Sequence, residues 1–224
     1  MNKSTGFNNQ NKILIITGGC ICEEFLKSLV LNEQYTIIIV ADKGLLAAYN
    51  LGLEVDFILG DFDSVPANLL SEYKNSASKI LRFPSKKDKT DTEIALELAL
   101  EQKPGIIDLI GATGSRMDHT MANIHLLMPA LEQRVNAKIL DPNNKIYLKN
   151  QSFTIKKDEQ YGDYISLLPF SSKIEELTLR GFKYPLDGIT LRAGSSLAIS
   201  NEIMDEVAYV EFKEGILVVF ETRD

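Results

Sequence analysis

Short apolar runs alternate with helical patterns from Lys12 to Leu140, and this alternation limits the folds open to the chain. The apolar runs predicted as strands are Lys12–Thr17, Thr36–Ala41, Val55–Leu59, Lys79–Arg82, Ile106–Ile110 and Ala137–Leu140. Several are rich in Ile and Val and apolar on both faces, as in strands that helices cover on both sides. The segments predicted as helices are Glu23–Leu31, Leu45–Leu51, Ala67–Tyr73, Thr92–Gln102 and Asp118–Glu132. Together they predict a doubly wound α/β fold with a mostly parallel sheet.

The pattern changes after a turn cluster at Asp141–Asn144, beyond which short strand-like runs replace the helices. These predicted strands are Lys145–Leu148, Ser152–Lys156, Tyr164–Leu168, Ile174–Arg180, Ser196–Ser200, Val207–Phe212 and Ile216–Glu221. Closely spaced strands with Gly-containing turns are typical of a small antiparallel β-sandwich. We therefore expect a flexible tail at 1–11, an α/β domain at 12–142 and a β-sandwich at 143–224.

Composition argues against several partners. The chain has 24 Lys and Arg against 31 Asp and Glu, a net charge of −7, whereas non-specific nucleic-acid binding depends on a basic surplus. No apolar run approaches the roughly 20 residues that cross a bilayer. Cys20 and Cys22 lack a second pair of metal ligands nearby, so we expect ordinary thiols in a reducing, cytoplasmic compartment. We expect neither a nucleic acid nor a membrane as partner.

Acidic residues gather in the loops that follow the predicted strands, where ligands bind in open α/β sheets. These residues are Asp42, Asp61, Asp63, Asp88, Asp91 and Asp118. Crowded carboxylates repel one another unless a cation joins them, and Mg²⁺ with substrate phosphates is the usual solution for oxygen-only ligands. Asp61 and Asp63 lie two apart in a nearly extended segment, so both side chains face the same way toward one ion.

Two alternative interpretations apply to these aspartates. Taken singly, Asp91 and Asp118 fit helix N-caps. The Asp61-Phe62-Asp63 pair also suggests a phosphatase of the haloacid-dehalogenase type with an aspartyl nucleophile. Against that, the pair follows the third predicted strand rather than the first, and Gly60 separates it from the apolar run. Taken together, the aspartates favour a metal–phosphate site.

A segment of small residues supplies the positive side of such a site. Gly111 and Gly114 lead through Arg116 into a predicted helix, whose first amides are able to bind an anion. Arg116 is suited to gripping phosphate oxygens with its planar fork. Lys86, Lys87 and Lys89 are able to do similar work, although a lysine-rich loop is more often simply solvated. Neither GxxxxGK[ST] nor GxGxxG occurs, which excludes the common nucleotide-binding loops.

Seven motifs in order and spacing resemble the thiamine pyrophosphokinase family. They are ADKG from Ala41, GDFDS from Gly60, KDKTD from Lys87, GATGSRMDH from Gly111, YISLLP from Tyr164, GFKYPL from Gly181 and SNE from Ser200. The resemblance covers nearly the whole chain except the N-terminal tail. It implies an enzyme that moves the pyrophosphoryl group of ATP to the hydroxyl of thiamine, with Mg²⁺, giving thiamine diphosphate and AMP. It also implies an α/β domain joined to a β-sandwich, and a homodimer with its sites between subunits.

The resemblance also assigns roles by motif position. It implies that Asp61, Asp63 and Asp91 hold Mg²⁺ and act in catalysis together with Arg116 and Asp118. The nucleotide and its phosphates would be bound by Asp42, Asp88, Thr90, Gly111, Gly114, Arg116, His119 and Asn123. Ser200 and Asn201 would contact thiamine, from the β-sandwich of the partner chain. The chain departs from the family at Lys43, where Gly is common, and at Ser115, where Gly is frequent.

Two other functions stay open at this point. A non-catalytic sensor of thiamine or a nucleotide is disfavoured, because a binding protein gains little from so many clustered carboxylates. A pyrophosphokinase that acts on another hydroxymethyl acceptor is the second alternative.

Overall fold

The computed structural model describes residues 11–63, 67–73, 77–84 and 88–224. Lys86 and Lys87 and nearly all of the predicted tail lie outside these described residues. The chain divides into two compact units, Met1–Ala137 and Lys138–Asp224.

The first unit is a parallel sheet with helices between its strands. Its strands are β1 (Lys12–Ile16), β2 (Ile37–Ala41), β3 (Phe57–Gly60), β4 (Lys79–Arg82) and β5 (Ile106–Ile110). Its helices are α1 (Glu23–Asn32), α2 (Gly44–Asn50), α3 (Ala67–Tyr73), α4 (Asp91–Glu101), α5 (Met117–His125) and α6 (Leu127–Glu132). The strand order β4-β3-β2-β1-β5, with every neighbouring pair parallel, confirms the predicted doubly wound architecture. None of the helices in the described ranges has the length and apolarity that a membrane span requires.

Strand β1 is the centre of this unit's core. Its residues Ile13–Ile16 have no solvent exposure at all. Full burial of such side chains contributes roughly 1.5–3 kcal/mol each, which explains the uninterrupted apolar run in the sequence. The chain passes from β1 to β2, β3 and β4 on one side, and β5 then pairs on the other side of β1. The strand order therefore reverses between β1 and β5, a topological switch point where crevices form in such sheets.

The single helix predicted at Asp118–Glu132 is wrong, because two helices, α5 and α6, meet at Leu126. Pro129 has no amide hydrogen for the carbonyl of His125, so a continuous helix would lose that hydrogen bond. The chain instead closes α5 with the Leu126 amide on the Ala122 carbonyl, at 2.9 Å, and starts again.

The second unit is an antiparallel sandwich. Strand β6 (Asn136–Leu140) runs into it, and the other strands are β7 (Asn144–Lys149), β8 (Phe153–Lys156), β9 (Tyr164–Pro169), β10 (Lys173–Arg180), β11 (Leu186–Arg192), β12 (Val207–Glu211) and β13 (Leu217–Thr222). One face has the order β6-β7-β13-β9 and the other β11-β10-β12-β8, with antiparallel pairs throughout. Leu167 and Val219 of the first face share a core with Leu179 and Val210 of the second. The predicted small β-sandwich is confirmed.

The strand predicted at Ser196–Ser200 is wrong, and β11 at Leu186–Arg192 was not predicted. Residues 197–200 form a turn followed by a bend. An Asp-Gly pair such as Asp187-Gly188 is typical of a turn, but Gly188 lies inside β11 with φ of 59°. Its amide donates to Thr178 Oγ1 at 2.9 Å, and the β10–β11 register shifts nearby, as in a β-bulge.

Candidate active site

A crevice of about 770 Å³ opens at the carboxyl edge of the parallel sheet in the first unit. Its size falls in the range typical of small-molecule sites. Segments following each of the strands β1–β5 line it, together with the first turns of α4 and α5. The site therefore lies where the strand-end rule placed the predicted residues.

Most of the predicted site residues come together in this crevice. Those that line it are Asp42, Asp61, Thr90, Asp91, Gly111, Gly114, Arg116, His119 and Asn123. Asp63 and Asp88 belong to the same loops and Asp118 to the first turn of α5, but these three do not line the crevice; Ser200 and Asn201 belong to the second unit.

The loops after β1 and β5 are joined directly through their backbones. The Gly19 amide donates to the Gly111 carbonyl and the Cys20 amide to the Thr113 carbonyl, both at 2.8 Å. A Cβ on Gly19 would lie 2.2 Å from the Gly111 oxygen, and one on Gly111 would lie 2.3 Å from the Thr17 oxygen. These glycines are therefore required by the close approach of two chain segments, in addition to any contact with a ligand.

Two threonines that line the crevice, Thr17 and Thr92, escaped prediction. Thr17 is buried after β1, and its hydroxyl lies 2.8 Å from that of Thr92 in α4. The Gly18 amide donates to Thr17 Oγ1 at 2.7 Å. Thr90 caps α4 by accepting a hydrogen bond from the Glu93 amide at 3.2 Å. A Gly-Gly pair after an apolar run, as at Gly18-Gly19, is a weak sequence signal for a ligand-binding loop, and no local pattern links Thr17 to Thr92.

The crevice contains three carboxylates from successive segments. Asp42 follows β2 with φ of 51°, a left-handed conformation that is costly for a non-glycine residue. Asp61 follows β3 and accepts a hydrogen bond from the Asp63 amide at 2.9 Å, while Asp91 begins α4. Among the described residues, no three Asp, Glu, His or Cys side chains already converge as a metal-binding set. The three carboxylates offer oxygen donors, which suit a hard cation such as Mg²⁺.

Two of the cations that line the crevice are engaged by carboxylates. Arg116 donates through Nη2 and Nε to Asp118, at 2.6 and 3.3 Å, and both side chains are largely exposed. This hydrogen bond lowers the pKa of the Asp118 carboxyl. Lys89 Nζ lies 2.6 Å from Glu97 Oε1, and that hydrogen bond raises the pKa of Lys89.

Asn123 has a positioning role. It is buried on α5, and its Nδ2 donates to the Ala112 carbonyl at 2.7 Å. The bond ties the loop after β5 to α5, so the wall of the crevice that contains Gly111 and Gly114 is held in place.

The two predicted residues of the second unit differ in exposure. Ser200 is exposed with φ of 54°, and its amide donates to Ser166 Oγ at 2.9 Å. Asn201 is buried and holds a neighbouring loop: its Nδ2 donates to the Tyr184 carbonyl at 2.8 Å, and its Oδ1 accepts from the Tyr184 and Glu202 amides, both at 3.0 Å. Asn201 therefore joins two of the motifs found in the sequence, GFKYPL and SNE.

Comparison with known proteins adds independent findings. The family model described as "Thiamin pyrophosphokinase, catalytic domain" matches residues 29–139, and "Thiamin pyrophosphokinase, vitamin B1 binding domain" matches residues 151–217. A thiamine pyrophosphokinase of Bacillus subtilis is 36% identical over 194 residues, 86% of this chain and 90% of that protein.

Solved structures agree with the sequence matches. The crystal structure of thiamine pyrophosphokinase from Bacillus subtilis has a TM-score of 0.85 and 34% identity, covering 96% of this chain and 100% of that one. The corresponding structure from Geobacillus thermodenitrificans has a TM-score of 0.82 and 32% identity, covering 95% and 98%.

Proposed function

Because the chain belongs to the thiamine pyrophosphokinase family, we propose that it transfers the pyrophosphoryl group of ATP to the hydroxyl of thiamine. The products are thiamine diphosphate and AMP. The observation that carries the proposal is the crevice at the β1–β5 switch point, which collects carboxylates and phosphate-binding elements within the part of the chain that matches the catalytic family model.

The phosphates of ATP bind along the loop after β5. Gly111 and Gly114 leave the backbone open to an anion, and the amides at the start of α5 add a favourable dipole. Arg116 exchanges part of its contact with Asp118 for phosphate oxygens. The other nucleotide contacts come from Asp42, Asp88, Thr90, His119 and Asn123.

Mg²⁺ is the metal that this donor set suits. Asp61 and Asp91 offer carboxylate oxygens to the crevice, and Asp63 follows Asp61 closely enough for its amide to bind the Asp61 side chain. Magnesium in kinase sites is usually held by one or two carboxylates together with water and substrate phosphates. When bound, the ion supplies charge neutralisation for the triphosphate.

The transfer is a substitution at the β-phosphorus of ATP. The thiamine hydroxyl gives up its proton and its oxygen forms a bond to that phosphorus, while the bond from the phosphorus to the α,β-bridging oxygen breaks and AMP leaves. The chain contributes by orienting the reactants and stabilising charge. Arg116 binds phosphate oxygens, Asp118 orients the Arg116 guanidinium, and Asn123 holds the loop that carries both glycines.

Thiamine binds through the second unit, at Ser200 and near Asn201. Ser200 is exposed, and Asn201 fixes the loop beside it. The active form is a homodimer in which these residues approach the crevice of the partner subunit, and sedimentation showing only monomer at assay concentration would contradict this.

Two free, exposed thiols, Cys20 and Cys22, suit a cytoplasmic location.

The test is an assay of AMP formation from ATP and Mg²⁺. We expect AMP only when thiamine is present, and none with a thiamine analogue that lacks the hydroxyl. ATP binding without thiamine-dependent AMP would instead favour a sensor. Faster AMP formation with another hydroxymethyl compound would favour a different acceptor.

A further inference from the structure

The cations that line the crevice differ in their partners. Lys89 and Arg116 are each bound to a carboxylate at 2.6 Å. Lys43 lines the same crevice and is exposed, and its side chain has neither an ion pair nor a hydrogen bond with any residue in ranges 11–63, 67–73, 77–84 and 88–224. Its positive charge is therefore available without breaking an existing ion pair.

The backbone around Lys43 is fixed over the switch point. A Cβ placed on Gly18 would lie 3.3 Å from Lys43 Cβ, so Lys43 stands directly against the loop after β1. On its other side Gly44 packs so closely on β1 that a Cβ there would lie 2.5 Å from the Ile16 oxygen. These contacts hold the backbone and Cβ of Lys43 between β1 and α2, and the residue as a whole is exposed.

The charge balance of the crevice favours an anion at Lys43. The carboxylates of Asp42, Asp61 and Asp91 line the crevice, so a triphosphate entering it meets net repulsion unless cations offset it. A cation already held by a carboxylate must give up that interaction to bind phosphate. An ammonium group without such a partner loses only its bound water when it binds phosphate. The hydrogen bond that it then forms is between two charged groups, and such bonds are stronger than those between neutral groups.

We propose that Lys43 binds the phosphate chain of the nucleotide. The ligand class is a nucleoside polyphosphate, and the inference rests on the proposed function only in taking ATP as that nucleotide.

The experiment measures binding of a non-hydrolysable ATP analogue by calorimetry to the full chain and three variants. Lys43→Gln should weaken the binding roughly 10-fold, because a charged hydrogen bond is lost. Binding of AMP should weaken by less than about 3-fold, because fewer phosphates reach the ammonium group. Lys43→Arg should restore most of the affinity.

The matched control is Lys27→Gln. Lys27 is exposed on α1 outside the crevice, so this variant changes the net charge equally and should bind like the unmodified chain. Thermal melting of each variant checks that folding is intact.

Each result decides the proposal. If Lys43→Gln binds the ATP analogue as tightly as the unmodified chain does, the proposal is overturned. It is also overturned if Lys43→Gln weakens the binding of the ATP analogue and of AMP by the same factor, because the substitution would then act on adenosine binding or on the loop conformation. If the unmodified chain does not bind the analogue, both proposals fail. If binding of the ATP analogue depends on Lys43 but no thiamine-dependent AMP is formed, the contact is supported and the proposed function is contradicted.

Discussion

The first unit uses charged side chains differently toward the two ends of its parallel strands. Toward the amino ends, Lys12 Nζ lies 3.0 Å from Asp108 Oδ2, and the Tyr35 hydroxyl donates to the same oxygen at 2.6 Å. Asp108 has no solvent exposure. At the carboxyl edge, Arg116 and Asp118 are paired at 2.6 Å, yet their side chains are 70% and 66% exposed.

The difference separates charges that serve the fold from charges that serve a ligand. Burial and the nearby Asp108 raise the pKa of Tyr35 well above its ordinary value. Burial would lower the pKa of Lys12, but hydrogen bonds to Glu33 and Asp108 raise it overall. These groups keep their partners inside the protein. The exposed groups of the crevice are able to exchange a protein partner for a substrate, so changes there should affect activity rather than folding.

The largest expected effect comes from Asp108→Ala. Removing one member of a buried ion pair leaves Lys12 without its buried counter-charge, and such changes cost about 3–5 kcal/mol of unfolding free energy. Urea unfolding measures this loss. Thiamine-dependent AMP formation per folded molecule should stay within about 3-fold, because residues after the carboxyl end of β5 form the crevice.

The control is Glu33→Gln, which removes the other carboxylate on Lys12. Glu33 lies 2.9 Å from Lys12 Nζ but is 47% exposed, so its loss should cost less than about 1 kcal/mol. Equal costs for Asp108→Ala and Glu33→Gln would contradict the distinction between buried and exposed charge.

The next effect is expected from Asp61→Asn at the opposite edge. The side-chain amide oxygen of the new Asn still accepts the hydrogen bond from the Asp63 backbone amide. The side chain lacks the negative charge with which a carboxylate holds a metal ion. Turnover should fall roughly 100-fold while the unfolding free energy changes by less than about 0.5 kcal/mol. We expect the same of Asp63→Asn.

Steady-state AMP formation and urea unfolding of both variants provide the check. Near-normal turnover in both would refute the metal assignment. Normal turnover in Asp63→Asn alone would limit the ligands to Asp61 and Asp91, which line the crevice.

The features that were predictable from sequence depend on burial along a single segment. Strand β5 occupies the predicted bounds Ile106–Ile110, because strands of a covered parallel sheet read as nearly continuous apolar runs. Strand β4 also occupies its predicted bounds, Lys79–Arg82, although it lies at the sheet edge and only its two central residues are partly buried. The gathering of Asp42, Asp61 and Arg116 in one crevice was also predictable. It follows from the rule that ligands bind beyond strand ends, whatever the order of the strands.

The features that were not predictable depend on contacts between distant segments. The Gly19–Gly111 and Thr17–Thr92 contacts need β1 and β5 to be neighbours and α4 to begin beside them, which no local pattern specifies. Strand β11 was missed for a related reason. Gly188 indicates a turn locally, whereas pairing with β10 accommodates it as a bulge.

The Gly19–Gly111 contact gives a smaller predicted effect. In Gly19→Ala the new methyl group would lie 2.2 Å from the Gly111 oxygen, so the loops after β1 and β5 must move apart. Misplacing the loop that we propose to bind phosphate should weaken binding of the ATP analogue about 10-fold.

Gly18→Ala is the neighbouring control for that variant. Its methyl group would meet Lys43 Cβ at 3.3 Å, which a small adjustment relieves, so calorimetry should show a smaller loss than for Gly19→Ala. A larger loss for Gly18→Ala would mean that contact with Lys43, rather than the joined backbones, limits the shape of the crevice.

The smallest expected effect comes from Glu97→Gln, which releases Lys89 at the crevice. The pair is exposed, so its removal should leave thermal melting unchanged. The freed ammonium group adds one available cation to the crevice, and the ATP analogue should bind about 2-fold more tightly at low salt. Calorimetry at low and high ionic strength measures the gain, which should disappear as salt rises. Weaker binding instead would mean that Glu97 holds Lys89 in place for the nucleotide, and the exposed ion pairs of the crevice would then be part of its binding structure.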